Sequence, residues 1–322
     1  MIDQRELALK AMNFISPFWA MGSARFNEAA ARLAAYSGRG SWSAAGSARQ
    51  FQVGAVAVLP LYGVLTQRPG LFSLWGLGTS TIEFGRAFDR ALDDPSIKAI
   101  VLDVDSPGGA VAGISELADK IYAGRRRKRI VAVANSEACS ASYCLATAAH
   151  EVVVTPGALV GSIGVMTVHA EYSEMNKRLG IKTTIIKAGK CKVDGNQYEP
   201  LHERARAAIQ EIIDDFDQNF VEGIALHRGV KASDVRNGFG EGRVVTAKQA
   251  VKLGMASRIA TLDEVLAGLS RRFDRGEKDC SSSVEKNLTT RRLEILHGVG
   301  GDNGRKDRQL KLRRALLGLE GH

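Results

Sequence analysis

Three stretches hold residue types whose spacing suits acyl-transfer chemistry. The first is Asp105-Ser106-Pro107-Gly108-Gly109. Paired glycines between a strand and a helix let backbone N–H groups point into an open site, where they can hold an anion or an oxyanion. The same residues also make an ordinary tight turn. The second is Ala138-Cys139-Ser140-Ala141-Ser142-Tyr143. A serine on this turn is pushed into the open at a helix start, and its small neighbours let a substrate backbone approach. The N–H of Ser140 itself, or that of Ala141, could face a carbonyl oxygen. Ser140 also reads as a plain N-cap. The third stretch, 187–194, carries Lys187, Lys190 and Lys192. A lysine there is ordinarily a solvated charge, but burial that lowers its pKa towards neutrality makes it a general base.

Competing chemistries are weaker. Cys139 and Cys144 flank Ser140, yet a thiol nucleophile needs a nearby histidine. His150, His169, His202, His227, His297 and His322 share no motif. The glycines lack G-x-G-x-x-G and a Gly-Lys-Ser/Thr ending, which disfavours dinucleotide and P-loop sites, and G-x-S-x-G is absent. No Cys or His spacing suggests zinc. An acyl-CoA reaction of crotonase type would need a carboxylate near the glycines, for which Glu116 and Asp119 are the candidates. For a serine hydrolase, a lysine base is the better fit.

Alternating strands and helices must position these stretches. Strands are expected over 53–61, 97–104, 130–134, 151–155 and 183–187, with a Gly-punctuated strand or turn over 161–167. Helices are expected over 82–92, 110–123, 141–149, 172–179, 200–227, 246–254 and 262–269. That order argues for an α/β domain with a largely parallel sheet. Residues 1–50 read as an N-terminal extension with short helices over 6–14 and 24–36 and a Gly/Ser-rich linker over 37–47. Residues 51–269 form the main domain. Residues 270–322 form a basic tail with too little apolar surface to hold a fold alone.

Composition narrows the class. The chain has 322 residues, 45% hydrophobic and 25% charged, which excludes a fibrous or wholly disordered protein. No apolar run reaches the roughly 18–20 residues of a membrane span. The first residues lack the apolar core of a secretory signal, so a soluble, cytoplasmic protein with reduced thiols is expected. Of the net charge of +9, the tail over 271–322 holds +5. The run Arg125-Arg126-Arg127-Lys128-Arg129 suits the C-terminal end of a helix, so no specific nucleic-acid partner is expected.

The three stretches, in this order, resemble the signal peptide peptidase A (SppA, protease IV) family, which includes capsid-assembly proteases of tailed phages. The resemblance rests on Ser106-Pro107-Gly108-Gly109, Ser140-Ala141-Ser142-Tyr143, Gly161-Ser162-Ile163-Gly164-Val165 and Gly189-Lys190-Cys191-Lys192, and covers roughly 53–269. It implies a serine endopeptidase with a Ser-Lys dyad and a ClpP/crotonase-like parallel-sheet spiral with flanking helices. Ser140 would be the nucleophile and Lys192, 52 residues later, the general base, with Lys190 as its competitor. Ser162 would orient the lysine amine. Gly109, with Gly108 close by, and the N–H of Ser140 or Ala141 would form the oxyanion hole. Ser142 stands where the family often has Gly or Ala, and Cys139 where Ala is usual; both are small and perturb shape little. The resemblance further implies no metal or cofactor and a homo-oligomeric ring. With no hydrophobic anchor read at the N-terminus, the phage branch is favoured, with portal, scaffold or capsid proteins as substrates. The alternatives are a soluble bacterial peptidase of signal-peptide remnants and a catalytically silent crotonase-fold scaffold.

Overall fold

A computed structural model describes Met12, Ser16 and residues 18–36, 50–74 and 76–275. The expected helix over 6–14 (Met12 apart), the linker over 37–47 and nearly all of the tail lie outside the described residues. Ten strands form one sheet among the described residues. They are β1 (Trp19–Met21), β2 (Phe51–Val53), β3 (Val56–Thr66), β4 (Gly78–Ser80), β5 (Ala99–Ala110), β6 (Arg129–Cys139), β7 (Glu151–Val154), β8 (Leu159–Gly161), β9 (Val244–Thr246) and β10 (Arg258–Ile259). The helices are α1 (Ser23–Tyr36), α2 (Leu71–Leu74), α3 (Thr81–Asp93), α4 (Ile114–Gly124), α5 (Ala141–Thr147), α6 (Ser173–Arg178), α7 (Glu203–Arg228), α8 (Ala232–Gly238), α9 (Ala247–Lys252) and α10 (Leu262–Asp274).

The main path runs β10-β7-β6-β5-β3-β2. Its inner pairs are parallel, whereas β2 on β3, β1 on β5 and β9 on β8 are antiparallel. This is the expected α/β class with a parallel-dominant sheet. Successive strand residues face opposite sides, and both sides are covered. Leu59, Leu61, Ile100, Leu102, Ile130 and Ala132 pack with α3, α4, α5 and α7. Val56, Val58, Val101, Val131 and Val133 pack with Val265, Leu266 and Leu269 of α10. Burial on both faces explains why these strands read as continuous Val/Ile/Leu runs.

Four features depart from expectation. First, β5 does not stop at Val104. It passes a bulge between Val104 and Ser106 and stays paired through Gly109, so the expected turn over 105–109 is strand. Second, the N-terminal stretch enters the sheet as β1, beside Gly108–Ala110. Trp19, Met21 and Phe26 form a core with Val64, Phe72 and Ala110. Third, no strand forms over 183–187, where Ile186 is 96% exposed. Its β-branched residues have no neighbouring edge to pair with among the described residues. Fourth, α10 runs past 269 to Asp274, its start fixed by a capping box between Thr261 and Glu264.

The basic run is absorbed by the fold. Arg127 pairs with Asp93 at 2.8 Å, and the Lys128 amine donates to the carbonyls of Ala91 and Asp94 at the end of α3. Arg129 pairs with Glu151, and the buried Arg125 lies over the Tyr122 ring. Among the described residues no helix is long and apolar enough to cross a membrane.

Candidate active site

Ser140 sits where β6 ends and α5 begins. Its backbone has φ 55° and ψ −116°, a conformation that costs a non-glycine residue about 1–3 kcal/mol. Only three described non-glycine residues have positive φ, and Ser162, at 53°, is another. Two of the three are thus candidate site residues, the pattern of strain held at a functional turn.

The surroundings hold this turn in place. The Ser140 N–H donates to the Gly161 carbonyl at 2.6 Å, and the Ser162 N–H donates to the Arg243 carbonyl at 2.8 Å. Strand β8 therefore clamps the serine while β9 clamps β8. The Ser140 hydroxyl lies 3.3 Å from the Gly164 carbonyl. Tyr143 is fully buried and donates to the Met255 carbonyl at 2.9 Å, anchoring α5 from below. Burial pushes its phenol well above the usual range.

The glycine stretch lies alongside. A Cβ on Gly108 would stand 2.2 Å from the Ala20 oxygen, 2.9 Å from the Cys139 oxygen and 3.2 Å from the Ala141 nitrogen. A Cβ on Gly109 would stand 2.0 Å from the Leu65 oxygen. No side chain fits at either position, and the close approach brings Gly108 against the start of α5. Ser142 welds the two stretches together. Its hydroxyl is within 2.7 Å of the Ser106 carbonyl and 2.8 Å of the Cys139 carbonyl, and its single proton serves one at a time. The Ser106 hydroxyl in turn donates to Gly63 and accepts from the Gly108 N–H.

These bonds sort the expected oxyanion donors. The Ser140 N–H is committed to Gly161 and the Gly108 N–H to Ser106. Ala141, first residue of α5, has no intrahelical acceptor for its N–H. Gly109 lies opposite Ala20 of β1.

The expected base, Lys192, is not packed against Ser140. Lys192, Lys190 and Lys187 are exposed on a turn, whereas Ser140 is fully buried. Among the described residues no hydrogen bond joins Lys192 to Ser140 or Ser162. The Lys187 amine instead donates to the Lys190 carbonyl. The turn is held at its far end, where Asp194 pairs with Arg204 of α7 at 3.0 Å and the Tyr172 N–H donates to Gln197.

The thiol alternative weakens on chemical grounds, since burial pushes Cys139 up to about 12 and Glu137 beside it acts in the same direction. Glu116 is exposed on α4. His150 accepts from the Ile130 N–H on Nδ1, and His227 stacks on Tyr122, so both are packed into structure. Two nearby carboxyls are held above their ordinary range by burial. Asp103 bonds the Tyr62 hydroxyl, and Glu137 pairs with Arg25 of α1 at 3.1 Å. Sequence reasoning missed Ser142 as a tie, the Gly164 carbonyl as a partner and β1 as a neighbour. The hydroxyl at 142, where the resemblance has a small residue, was the available signal for the first.

Residues 123–274 match the family model described as Peptidase family S49. Head-tail preconnector protein GP5 of Enterobacteria phage P21 is 33% identical over 215 residues, which is 67% of this chain and 42% of that protein. Capsid assembly protease C of Escherichia phage lambda is 33% identical over 228 residues, 70% of this chain and 52% of that protein. The chain thus spans about half the length of these curated relatives. Among solved structures, a ClpP1 variant of Listeria monocytogenes shares 14% identity at a TM-score of 0.39, covering 65% of this chain and 94% of that one. A likeness at that level carries no assignment of its own. Residues 123–274 are thus similar to peptidase family S49, and over about two thirds of its length the chain is similar to phage head proteins.

Proposed function

We propose that the protein is a serine endopeptidase with a Ser140–Lys192 dyad, acting on portal, scaffold or capsid proteins during phage head assembly. The observation that carries the reading is the strained Ser140 at the start of α5, clamped by Gly161 and set against Gly108. The neutral Lys192 amine takes the Ser140 proton as the hydroxyl oxygen attacks a peptide carbonyl. The N–H groups of Ala141 and Gly109 hold the developing oxyanion, at about 3–4 kcal/mol per donor. The amine returns its proton to the leaving nitrogen, and water then hydrolyses the acyl-enzyme. Ser162 orients the amine.

A lysine acts as a base only when desolvated, and the turn over 187–192 is exposed in the single chain. Beside it stand the exposed Leu179, Ile181 and Ile186. Both facts support a homo-oligomer in which the lysine turn of one copy is covered by the next and serves the Ser140 there. The names of the phage relatives support the substrate class.

Mixing tests this reading. Ser140→Ala and Lys192→Ala chains, each inactive alone, are combined, dissociated and reassembled with a co-expressed portal or capsid substrate. Recovery of cleavage to a quarter or more of wild type is expected. No recovery, with Lys192→Ala inactive, would place both groups in one chain. Full activity of either variant alone would end the dyad.

A further inference from the structure

The three residues of β1 fill a slot with two hydrogen-bonding walls. On one side β1 runs antiparallel to β5, with Trp19 opposite Ala110, Ala20 opposite Gly109 and Met21 opposite Gly108. The Val111 N–H donates to the Phe18 carbonyl. Bonded pairs alternate along an antiparallel ladder, so Ala20 and Gly109 form the next one. On the other side the Trp19 N–H donates to the Met166 carbonyl at 2.9 Å, and the Met166 N–H donates to the Trp19 carbonyl at 2.8 Å.

The direction of the chain adds meaning. From Phe18 to Met21 it travels from Val111 to Gly108, the glycine set against the Ala141 nitrogen. A Cβ on the next residue, Gly22, would stand 3.2 Å from the Ser162 hydroxyl. The segment therefore crosses the mouth between the oxyanion stretch and Ser162, and beneath it Ser140 is sealed.

We infer that β1 is a displaceable internal ligand, occupying the slot where an extended polypeptide binds. The inference rests on the peptidase reading for its catalytic consequence, though not for binding. Main-chain groups supply the bonds on both walls, so any extended chain can make them. Sequence preference comes from the pocket now filled by Trp19, lined by Val64, Phe72 and Ala110. The slot thus selects an extended polypeptide with a large apolar side chain at that position. Trp19 is an imperfect occupant, because its buried indole N–H has no acceptor among the described residues. Helix α1 keeps the strand close through the Arg25–Glu137 pair. Incoming chains bind only the fraction of molecules whose slot is open, which lowers their apparent affinity by that fraction.

The test uses the full chain carrying Phe18→Cys and Val111→Cys, with Cys191→Ser and Cys280→Ser so that only the designed bridge forms. Residues directly opposite each other on neighbouring strands lie within disulfide reach. In a Ser140→Ala background, a fluorescent peptide of residues 16–22 is titrated by anisotropy. In the Ser140 background, cleavage of an unfolded polypeptide is followed. Oxidation should weaken peptide binding and slow cleavage at least tenfold, with reductant reversing both. A second variant, Ala20→Pro, removes a ladder donor and should bind the peptide at least tenfold tighter than its parent. Equal peptide affinity in the oxidised and reduced forms would overturn the inference, as would no gain from Ala20→Pro. Cleavage unaffected by the bridge would likewise sink the slot while sparing the peptidase. Redox-dependent binding with no cleavage by any form would refute the peptidase and leave the slot standing.

Discussion

The Ser142 hydroxyl lies 2.7 Å from the Ser106 carbonyl, joining the turn that carries Ser140 to the stretch that carries Gly108 and Gly109. Both ends of this contact are buried. Ser142→Ala removes the tie and should cost about 1–2 kcal/mol in urea unfolding. Because Ser140 and the proposed oxyanion donors shift relative to each other, kcat should fall at least tenfold with KM changed less than threefold. An unchanged kcat would show that the tie is structural only.

Strain at Ser140 gives a prediction with an unusual sign. Ser140→Ala and Ser140→Gly both delete the proposed nucleophile and should abolish cleavage. Yet at φ 55° glycine is unstrained while alanine is not. Ser140→Gly should be about 1 kcal/mol more stable than Ser140→Ala, the reverse of the usual order, as chemical denaturation would read. Equal stabilities would mean that the turn relaxes once the hydroxyl is gone.

Lys192 and Lys190 are separable by activity alone. Lys192→Ala should lose cleavage by at least a thousandfold, and Lys190→Ala should keep most of it. Both lysines are exposed in the single chain, so neither change should move the melting temperature of dissociated protein. The reverse activity pattern would reassign the base.

His150 predicts sensitivity to acid. Burial, with Arg125 and Arg129 nearby, pushes it down to about 3, and its Nδ1 accepts from the Ile130 N–H. An unfolded histidine takes its proton near 6.5. Between about 6.5 and 3 the unfolded state therefore binds more protons, and this contribution to stability is lost as pH falls through that window. Asp103 and Glu137, both raised, work in the opposite direction at mildly acidic pH, favouring the folded state as they protonate. Comparison with His150→Gln isolates the histidine. The wild type should lose about 1–3 kcal/mol more than the variant between pH 7 and pH 4.5. Parallel losses would remove His150 as the cause.

Much of this architecture was legible because local pattern and tertiary demand agree. Runs such as Ile100-Val101-Leu102 and Val131-Ala132-Val133 are apolar on both faces, and the sheet is covered on both faces. Where a partner from afar decides the outcome, local reading fails. Ser106 to Gly109 look like a turn because nothing nearby reveals that β1 and β3 will pair with them. Trp19-Ala20-Met21 is too short to show a period. Thr183 to Lys187 have strand composition but no edge to join among the described residues. Within the site, Ser140 was visible from its small neighbours and the helix that follows. Lys192 stood out only through the family resemblance, since an exposed turn carries no signature of the surface that would desolvate it.

The five cations from Arg125 to Arg129 include two whose work bears on the protein's company. Lys128 and Arg127 close the third helix, Lys128 on its terminal carbonyls and Arg127 on Asp93. A nucleic acid drawn to this corner would have to compete with the protein's own backbone for those charges. Part of the formal positive balance at this corner is thus engaged in closing a helix.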